Sequence, residues 1–225
     1  MTELLAALAV FVALHSVPAL PAIRARLIAR IGRAPYLAVY SLASLLSLAW
    51  VFHAALRMDD VPLWDTQLWQ GHLTLVAAPL GLFLVIAGLA SANPASITLR
   101  RGGAPGAIVA ITRHPVLWGF LLWSLGHLAP NGDLGSLILF GGFALFSAVG
   151  VPVLERRARR RLGATWPTFA AATSVLPFAA ALGGRTRLRF DTPMLASAAL
   201  AALLTAWLIW GGHADLFGVD PRIFL

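Results

Sequence analysis

Six long apolar segments constrain the fold more than any other feature of this sequence. An apolar run of about 20 residues can cross a bilayer as an α-helix. Hydrophobic residues make up 59% of the chain and charged residues 12%, whereas a soluble domain contains about 25% charged residues. We therefore predict an all-α, polytopic membrane helix bundle, a single transmembrane domain over residues 1–225 with about six spans. The predicted spans cover approximately residues 3–22, 35–56, 71–90, 115–130, 134–153 and 193–212.

The basic residues alternate with the apolar segments. There are 17 of them, all arginines, and all but Arg57 and Arg222 fall in the segments that follow the first, third and fifth predicted spans. Cytoplasmic loops of membrane proteins carry an excess of Arg and Lys. We therefore predict a multi-pass protein of the bacterial inner membrane with both termini outside the cytoplasm. The arginines then act as topology signals and contact the headgroups of the lipid bilayer, and nucleic acid is not an expected partner.

Residues 154–169 show a different pattern, in which apolar side chains recur at helical spacing and arginines occupy the other face. This distribution is typical of an amphipathic helix at a membrane surface. We therefore predict interfacial helices on the inner face. The dipeptides Asn93-Pro94 and Gly102-Gly103 predict an irregular segment before the fourth span. The apolar positions of the amphipathic pattern are Leu154, Ala158, Leu162, Trp166 and Phe169.

Histidine is the residue type that indicates a functional site. The chain has no cysteine, which excludes disulfides, iron–sulfur clusters and thiolate-ligated haem, so metal ligation falls to His, Asp and Glu. His15 and His127 lie deep within predicted spans, where ionisable side chains usually face the bundle interior and serve a function. His114 follows Arg113 at the predicted inner boundary, where it is either a solvated ring or a binding group. The remaining histidines, near the outer ends of spans, are interpreted as interfacial rings; they are His53, His72 and His213.

Two neutral imidazoles on separate helices suit the axial positions of a haem iron, each ring giving its second N–H to an acceptor. His15 and His127 are the predicted ligands, with Arg113 as the first candidate to pair with a haem propionate. At about 1.5 Å per residue, their depths differ by about 8 Å, so His53 or His72 remains an alternative partner for His127. A purely structural alternative is that the two deep rings only hydrogen-bond to neighbouring helices.

Three motifs resemble the NnrU family of integral membrane proteins. They are Ile111-Thr112-Arg113-His114-Pro115 continuing to Trp123-Ser124-Leu125-Gly126-His127, Leu14-His15-Ser16, and Arg161-Leu162-Gly163-Ala164-Thr165-Trp166. The family is named for an association with nitric-oxide and nitrite metabolism in denitrifying bacteria. Its plant and cyanobacterial relative is 15-cis-zeta-carotene isomerase, an integral membrane haem b enzyme. The resemblance implies haem b held by His15 and His127, with either redox-dependent carotenoid cis–trans isomerase-like activity or a role in nitrogen-oxide metabolism.

The resemblance also implies partners and one departure. The expected partners are a hydrophobic polyene substrate or respiratory nitrogen-oxide enzymes. The isomerase has a cysteine, implicated in ligand switching, three residues before its second histidine, and this chain has Ser124 there, a poorer ligand for iron. Ser124 therefore joins Arg113 and His114 among the candidate cofactor-binding residues, without an assigned catalytic role.

A more distant resemblance links the segment Arg113-His114-Pro115-Val116-Leu117-Trp118-Gly119 and residues 155–169 to the isoprenylcysteine and phospholipid methyltransferases. In that group the region holds S-adenosylmethionine, and a cation at a helix amino terminus suits the carboxylate of that cofactor. The second acid of that group is missing, because Arg156 follows Glu155. An S-adenosylmethionine-dependent membrane methyltransferase and a non-catalytic membrane assembly factor are the alternative functions.

Overall fold

The structure is a computed structural model that describes residues 1–18, 20–100 and 102–225. Within these ranges every regular element is helical, and the one extended pairing is an isolated antiparallel bridge between Pro62 and Asp133. This confirms the predicted all-α class. The α-helices are α1 (Thr2–Ser16), α2 (Pro21–Ile31), α3 (Arg33–Leu56), α4 (Leu68–Ala90), α5 (Pro115–Leu128), α6 (Leu134–Leu162), α7 (Trp166–Ala171), α8 (Ala179–Leu182), α9 (Thr192–Trp207) and α10 (His213–Phe217).

Four helical stretches among the described residues are long and apolar enough to cross a membrane. A fifth span is possible if α1 and α2 count as one, although their axes differ by 81° and Ala19, within the predicted first span, lies outside the described residues. The predicted fourth span corresponds to α5, which has only 14 residues. The four long stretches are Arg33–Leu56, Leu68–Ala90, Leu134–Ala171 and Thr192–Phe217.

The amphipathic segment predicted at residues 154–169 is not a separate helix. Its first half continues α6 without a break as far as Leu162, and the chain then passes through a 3₁₀ turn, Gly163–Thr165, into α7. The continuation is expected physically, because arginine and leucine are strong helix formers and neither glycine nor proline interrupts residues 153–162. Gly163, with φ of +51°, ends the run.

The first compact unit comprises residues 1–65 and 131–142. Within it, α1 packs on α3. The indole N–H of Trp50 donates to Glu3 Oε1 at 3.2 Å, and the Tyr36 hydroxyl donates to the carbonyl of Pro18 at 3.3 Å. These two bonds join the chain segments at both ends of the α1–α3 contact.

The second compact unit comprises residues 66–130 and 143–225. Its central contact is the antiparallel packing of α4 on α5 at a seam of glycines. A Cβ built on Gly119 would lie 2.5 Å from the carbonyl oxygen of Gly81, and one built on Gly81 would lie 2.6 Å from that of Gly119. Thr74 Oγ1 donates across the same seam to the carbonyl of Gly126 at 2.6 Å. Small residues of this kind allow helix backbones to touch inside a membrane.

The last apolar helix of this unit ends in a kink. Residues Leu208–Gly212 form a wide turn in which Trp210 and Gly211 depart from helical geometry, with φ of +143° at Gly211. A side chain would be strained at that φ, so glycine permits the turn. The kink begins α10 at His213, and Gly218, with φ of +73°, ends α10. After α10 the chain forms a C-terminal 3₁₀ turn, Pro221–Phe224.

Candidate functional site

A buried polar cluster precedes the first turn of α5. Arg113 Nε donates to Glu155 Oε1 at 2.6 Å, and His114 Nε2 lies 3.2 Å from the same oxygen. His114 is fully buried and Arg113 is 8% exposed. Glu155 projects from α6, so this carboxylate ties α6 to the start of α5. We call Arg113, His114 and Glu155 with Ser96 the α5 entry cluster.

The Arg113 guanidinium is held on several sides. Its Nη1 donates to the carbonyl of Thr173 at 3.0 Å and to the Thr173 hydroxyl at 3.1 Å. Its Cζ also lies 5.4 Å from the centroid of the Trp166 ring, within the range of a cation–π contact. A charge so deeply placed is tolerated because it is paired and hydrogen-bonded. The guanidinium thus fixes α7 and the segment after it to the start of α5.

His114 is a neutral ring with a defined tautomer. The carboxylate of Glu155 can only accept, so Nε2–H donates to it, and Nδ1 accepts from the Ser96 hydroxyl at 3.1 Å. Burial lowers the pKa of His114 below its ordinary value, although Glu155 opposes that shift. The ring, which precedes the first residue of α5, is therefore an uncharged link between the irregular segment at Ser96 and α6.

Backbone bonds complete the α5 entry cluster. The Asn93 amide donates to the carbonyl of Arg113 at 2.9 Å, and the backbone N–H of Arg113 donates to the carbonyl of Ser174 at 2.8 Å. The Thr112 hydroxyl and the Trp118 indole both donate to the carbonyl of Val175, at 2.7 and 2.9 Å. The predicted irregular segment after α4 and the segment after α7 therefore meet at the residues that begin α5.

His15 lies in the first unit, in the last turn of α1. Its Nδ1–H donates to the carbonyl of Phe11 at 2.8 Å. The Phe11 ring centroid lies 4.1 Å from that of the imidazole, and the Tyr40 ring meets it edge-on at 6.1 Å. Because the carbonyl can only accept, Nδ1 carries the proton of the neutral ring and Nε2 carries the lone pair.

His127 lies in the second unit, in the last turn of α5, with the same local arrangement. Its Nδ1–H donates to the carbonyl of Trp123 at 2.8 Å, and the Trp123 ring centroid lies 4.7 Å away. Its Nε2 is therefore again the nitrogen with the lone pair. Three residues earlier, Ser124 is fully buried, and its hydroxyl is among the buried oxygen atoms with no hydrogen-bond partner in the structure. The neighbouring Gly126 contacts Ala77 of α4, so it serves packing.

A second histidine lies beside His127. The rings of His127 and His213 are 6.4 Å apart between centroids and nearly parallel, at 16°. His213 Nδ1–H donates to the carbonyl of Val219 at 2.7 Å, so His213 has the same tautomer. The sequence placed His213 among the interfacial rings and did not predict this proximity; Gly211-Gly212, just before it, is the signal of a turn. The alternatives His53 and His72 both have exposed side chains.

The described residues contain no group of three or more His, Cys, Asp or Glu side chains arranged to hold a metal ion. The described residues offer single imidazoles and one close pair, His127 and His213. A metal that uses them must bring other ligands of its own. A porphyrin iron meets that condition, because the macrocycle supplies its equatorial nitrogens and the protein supplies axial ligands.

The fold and these polar contacts define a multi-pass α-helical membrane protein with one buried histidine, His114, held by a carboxylate, and half-buried histidines, His15 and His127, held by backbone carbonyls. Comparison with known proteins assigns the chain further: the NnrU protein family matches residues 3–221, and the chain belongs to that family. It is also similar to the chloroplastic 15-cis-zeta-carotene isomerase of Zea mays, with 33% identity over 84 residues. That match covers 37% of this chain and 23% of the isomerase. No solved structure matches the chain.

Proposed function

We propose that this NnrU protein binds haem b through His127, with His15 as the second axial ligand. The observation that carries the proposal is shared by the two residues. In each, Nδ1–H donates to the carbonyl four residues earlier at 2.8 Å, which supports Nε2 as the nitrogen that would bind iron. A histidine that binds a metal through one ring nitrogen usually donates the N–H of its other ring nitrogen to an acceptor such as a backbone carbonyl.

The donor set fits haem better than it fits a bare metal ion. Both rings lie on apolar helices, and a neutral imidazole is the protonation state that iron requires. Ser124, buried with an unpartnered hydroxyl, adds a polar group on the helix turn that precedes His127. Bound haem would supply one-electron redox chemistry and a Lewis-acidic iron, while the chain holds the two rings and their tautomers in place.

The similarity to the maize isomerase supports a proposal for the substrate class. We propose that the loaded protein acts on a hydrophobic, carotenoid-type polyene that enters from the bilayer, as a redox-dependent cis–trans isomerase. The apolar outer faces of the helices suit a ligand that partitions into lipid. The second candidate function is a haem-dependent role in nitrogen-oxide metabolism, together with respiratory enzymes. It was predicted from the family resemblance.

The α5 entry cluster has a supporting role in this proposal. Arg113 and His114 fix the beginning of α5, and α5 carries Ser124 and His127 at its other end. Arg113 commits Nε to Glu155 and Nη1 to Thr173, so a contact with a haem propionate or with the carboxylate of S-adenosylmethionine would have to use its remaining donors. We therefore propose Arg113 and His114 chiefly as residues that position α5.

The test is the optical spectrum of the detergent-purified protein, oxidised and dithionite-reduced. We expect a Soret band in the wild type, loss of most bound haem in His127→Ala and weaker retention of haem in His15→Ala. His72→Ala is the matched control, because His72 lies on α4 with an exposed side chain, and it should retain the wild-type spectrum. A wild-type protein that takes up no haem would refute the proposal, and binding of S-adenosylmethionine by that protein would support the methyltransferase alternative.

A further inference from the structure

The proposed function leaves His213 unused, although the fold brings this side chain next to His127. The two ring centroids are 6.4 Å apart. Two metal–nitrogen bonds of about 2.0–2.1 Å, with about 1.1 Å from each nitrogen to its ring centre, separate the centroids of two trans ligands by about 6.3 Å. The observed spacing is close to that distance, and the two rings are nearly parallel, at 16°.

The tautomers of the pair also match such a site. Each Nδ1–H donates to a backbone carbonyl, Trp123 for His127 and Val219 for His213. A carbonyl on Nδ1 assigns the lone pair of both rings to Nε2. Two neutral imidazoles whose accepting nitrogens are both Nε2 are the donor pair that iron takes axially.

The fold provides a specific device to hold His213 there. The helix that begins at Thr192 would continue straight without the wide turn at Leu208–Gly212. Gly211, at φ of +143°, makes that turn, and a Cβ on Gly212 would lie 2.5 Å from the Trp207 ring, so a side chain at position 212 would displace that ring. π-type irregularities inside helices occur frequently at functional sites. The bond to Val219 then fixes the ring from the following turn.

We propose that His213 is a reserve axial ligand, which takes the coordination position opposite His127 when His15 does not occupy it. The inference rests on the proposed haem function and adds a third imidazole to it. The exchange replaces one neutral imidazole by another, so it moves no electron and no proton. The last helix and its C-terminal turn thereby become part of the haem site.

The experiment compares three variants, reconstituted with haemin in detergent: His15→Ala, His213→Gln and the double variant. Ferric electron paramagnetic resonance and the optical spectrum report the spin state, which distinguishes two axial imidazoles from one. We expect low-spin, bis-imidazole iron in both single variants, because either His15 or His213 remains. The double variant should become high-spin and should return to low-spin on addition of free imidazole.

Two results would overturn the inference. One is a high-spin signal in His15→Ala that is the same in the double variant. The other is an unchanged low-spin signal in the double variant. Failure of the proposed function itself is a different observation, since wild-type protein would then show no Soret band at all. His53→Gln is the control for the substitution, and elution as a single detergent-bound species establishes that each variant is folded.

Discussion

Arg113 Nε and Glu155 Oε1 lie 2.6 Å apart and join the residue two positions before α5 to the carboxyl-terminal half of α6. Both side chains are largely shielded, with 10% and 18% exposed. The carboxylate also accepts from His114, so one acid neutralises a buried cation and satisfies a buried ring. Removal of that acid is therefore expected to affect the whole α5 entry cluster.

Glu155→Gln should lower the free energy of unfolding by about 1.5–3 kcal/mol, the usual value of hydrogen bonds to a charged group. The amide keeps an acceptor but no longer balances the charge of Arg113. Arg156→Gln is the control, since Arg156 is exposed on the next position of the same helix and should change stability by less than about 0.5 kcal/mol. The measurement is thermal unfolding in detergent. Equal melting temperatures for the two variants would contradict a stabilising role of the Arg113–Glu155 pair.

His114 predicts a pH dependence of stability. Its pKa is lowered by burial in the folded protein, while the unfolded chain has the ordinary value near 6.5. Below about pH 6.5 the unfolded state therefore binds a proton that the folded state does not, so the free energy of unfolding falls as the pH falls. In His114→Gln this part of the dependence should disappear. The check is the difference in melting temperature between variant and wild type from pH 8 to pH 5, and a constant difference would refute the prediction.

The glycine seam between α4 and α5 should not accept a side chain. Gly119→Leu would push a side chain against the carbonyl of Gly81, which a Cβ alone would approach to 2.5 Å. Overpacking of this kind costs about 1–3 kcal/mol. Gly141→Ala is the control, because a Cβ there would meet only Leu137 at an ordinary 3.7 Å. Loss of haem together with lower melting temperature in Gly119→Leu would also connect the seam to the position of His127.

Ser124→Ala tests the unpartnered hydroxyl. A buried polar group without a hydrogen bond costs about 1–3 kcal/mol, so its removal should raise the melting temperature of haem-free protein. If the hydroxyl serves the cofactor, the same variant should bind haemin more weakly than wild type. Titration with haemin and thermal unfolding measure the two effects separately. A fall in the stability of haem-free Ser124→Ala would show that the hydroxyl already has a partner.

The orientation predicted from the arginines can be tested because the chain has no cysteine. Single cysteines at Asp220 and at Arg160 should differ in reactivity towards a membrane-impermeant maleimide applied to intact cells. We expect labelling at Asp220, near the C-terminus, and none at Arg160 until the cells are opened. Labelling with the opposite preference would reverse the predicted topology.

The helical class and most helix positions could be predicted because apolar length is a strong signal. α3, α4 and α9 lie within a few residues of the predicted spans. The amphipathic run at residues 154–169 was predicted as a separate helix, since periodicity does not show whether a helix continues from the one before it. The beginning of α5 was predicted from Pro115, because proline suits the first turn of a helix.

The contacts of the candidate site depended on tertiary structure. Nothing local connects Arg113 to Glu155, which are separated by 42 positions, and Ser96 and Thr173 gave no signal of their own. His213 was assigned to the membrane surface because only its depth was considered. Its approach to His127 depends on the turn at Gly211, and hydropathy does not report the direction of a turn.

The brevity of α5 has a consequence for how the bilayer meets this protein. Its 14 residues rise about 21 Å, whereas the hydrocarbon layer is about 30 Å thick. A helix of this length that crosses the bilayer requires the lipid beside it to thin, or water to enter from both faces, to meet its ends. His114 before its start and His127 near its finish would then both lie close to a polar boundary, so a proton would cross only part of the apolar layer on its way to either ring.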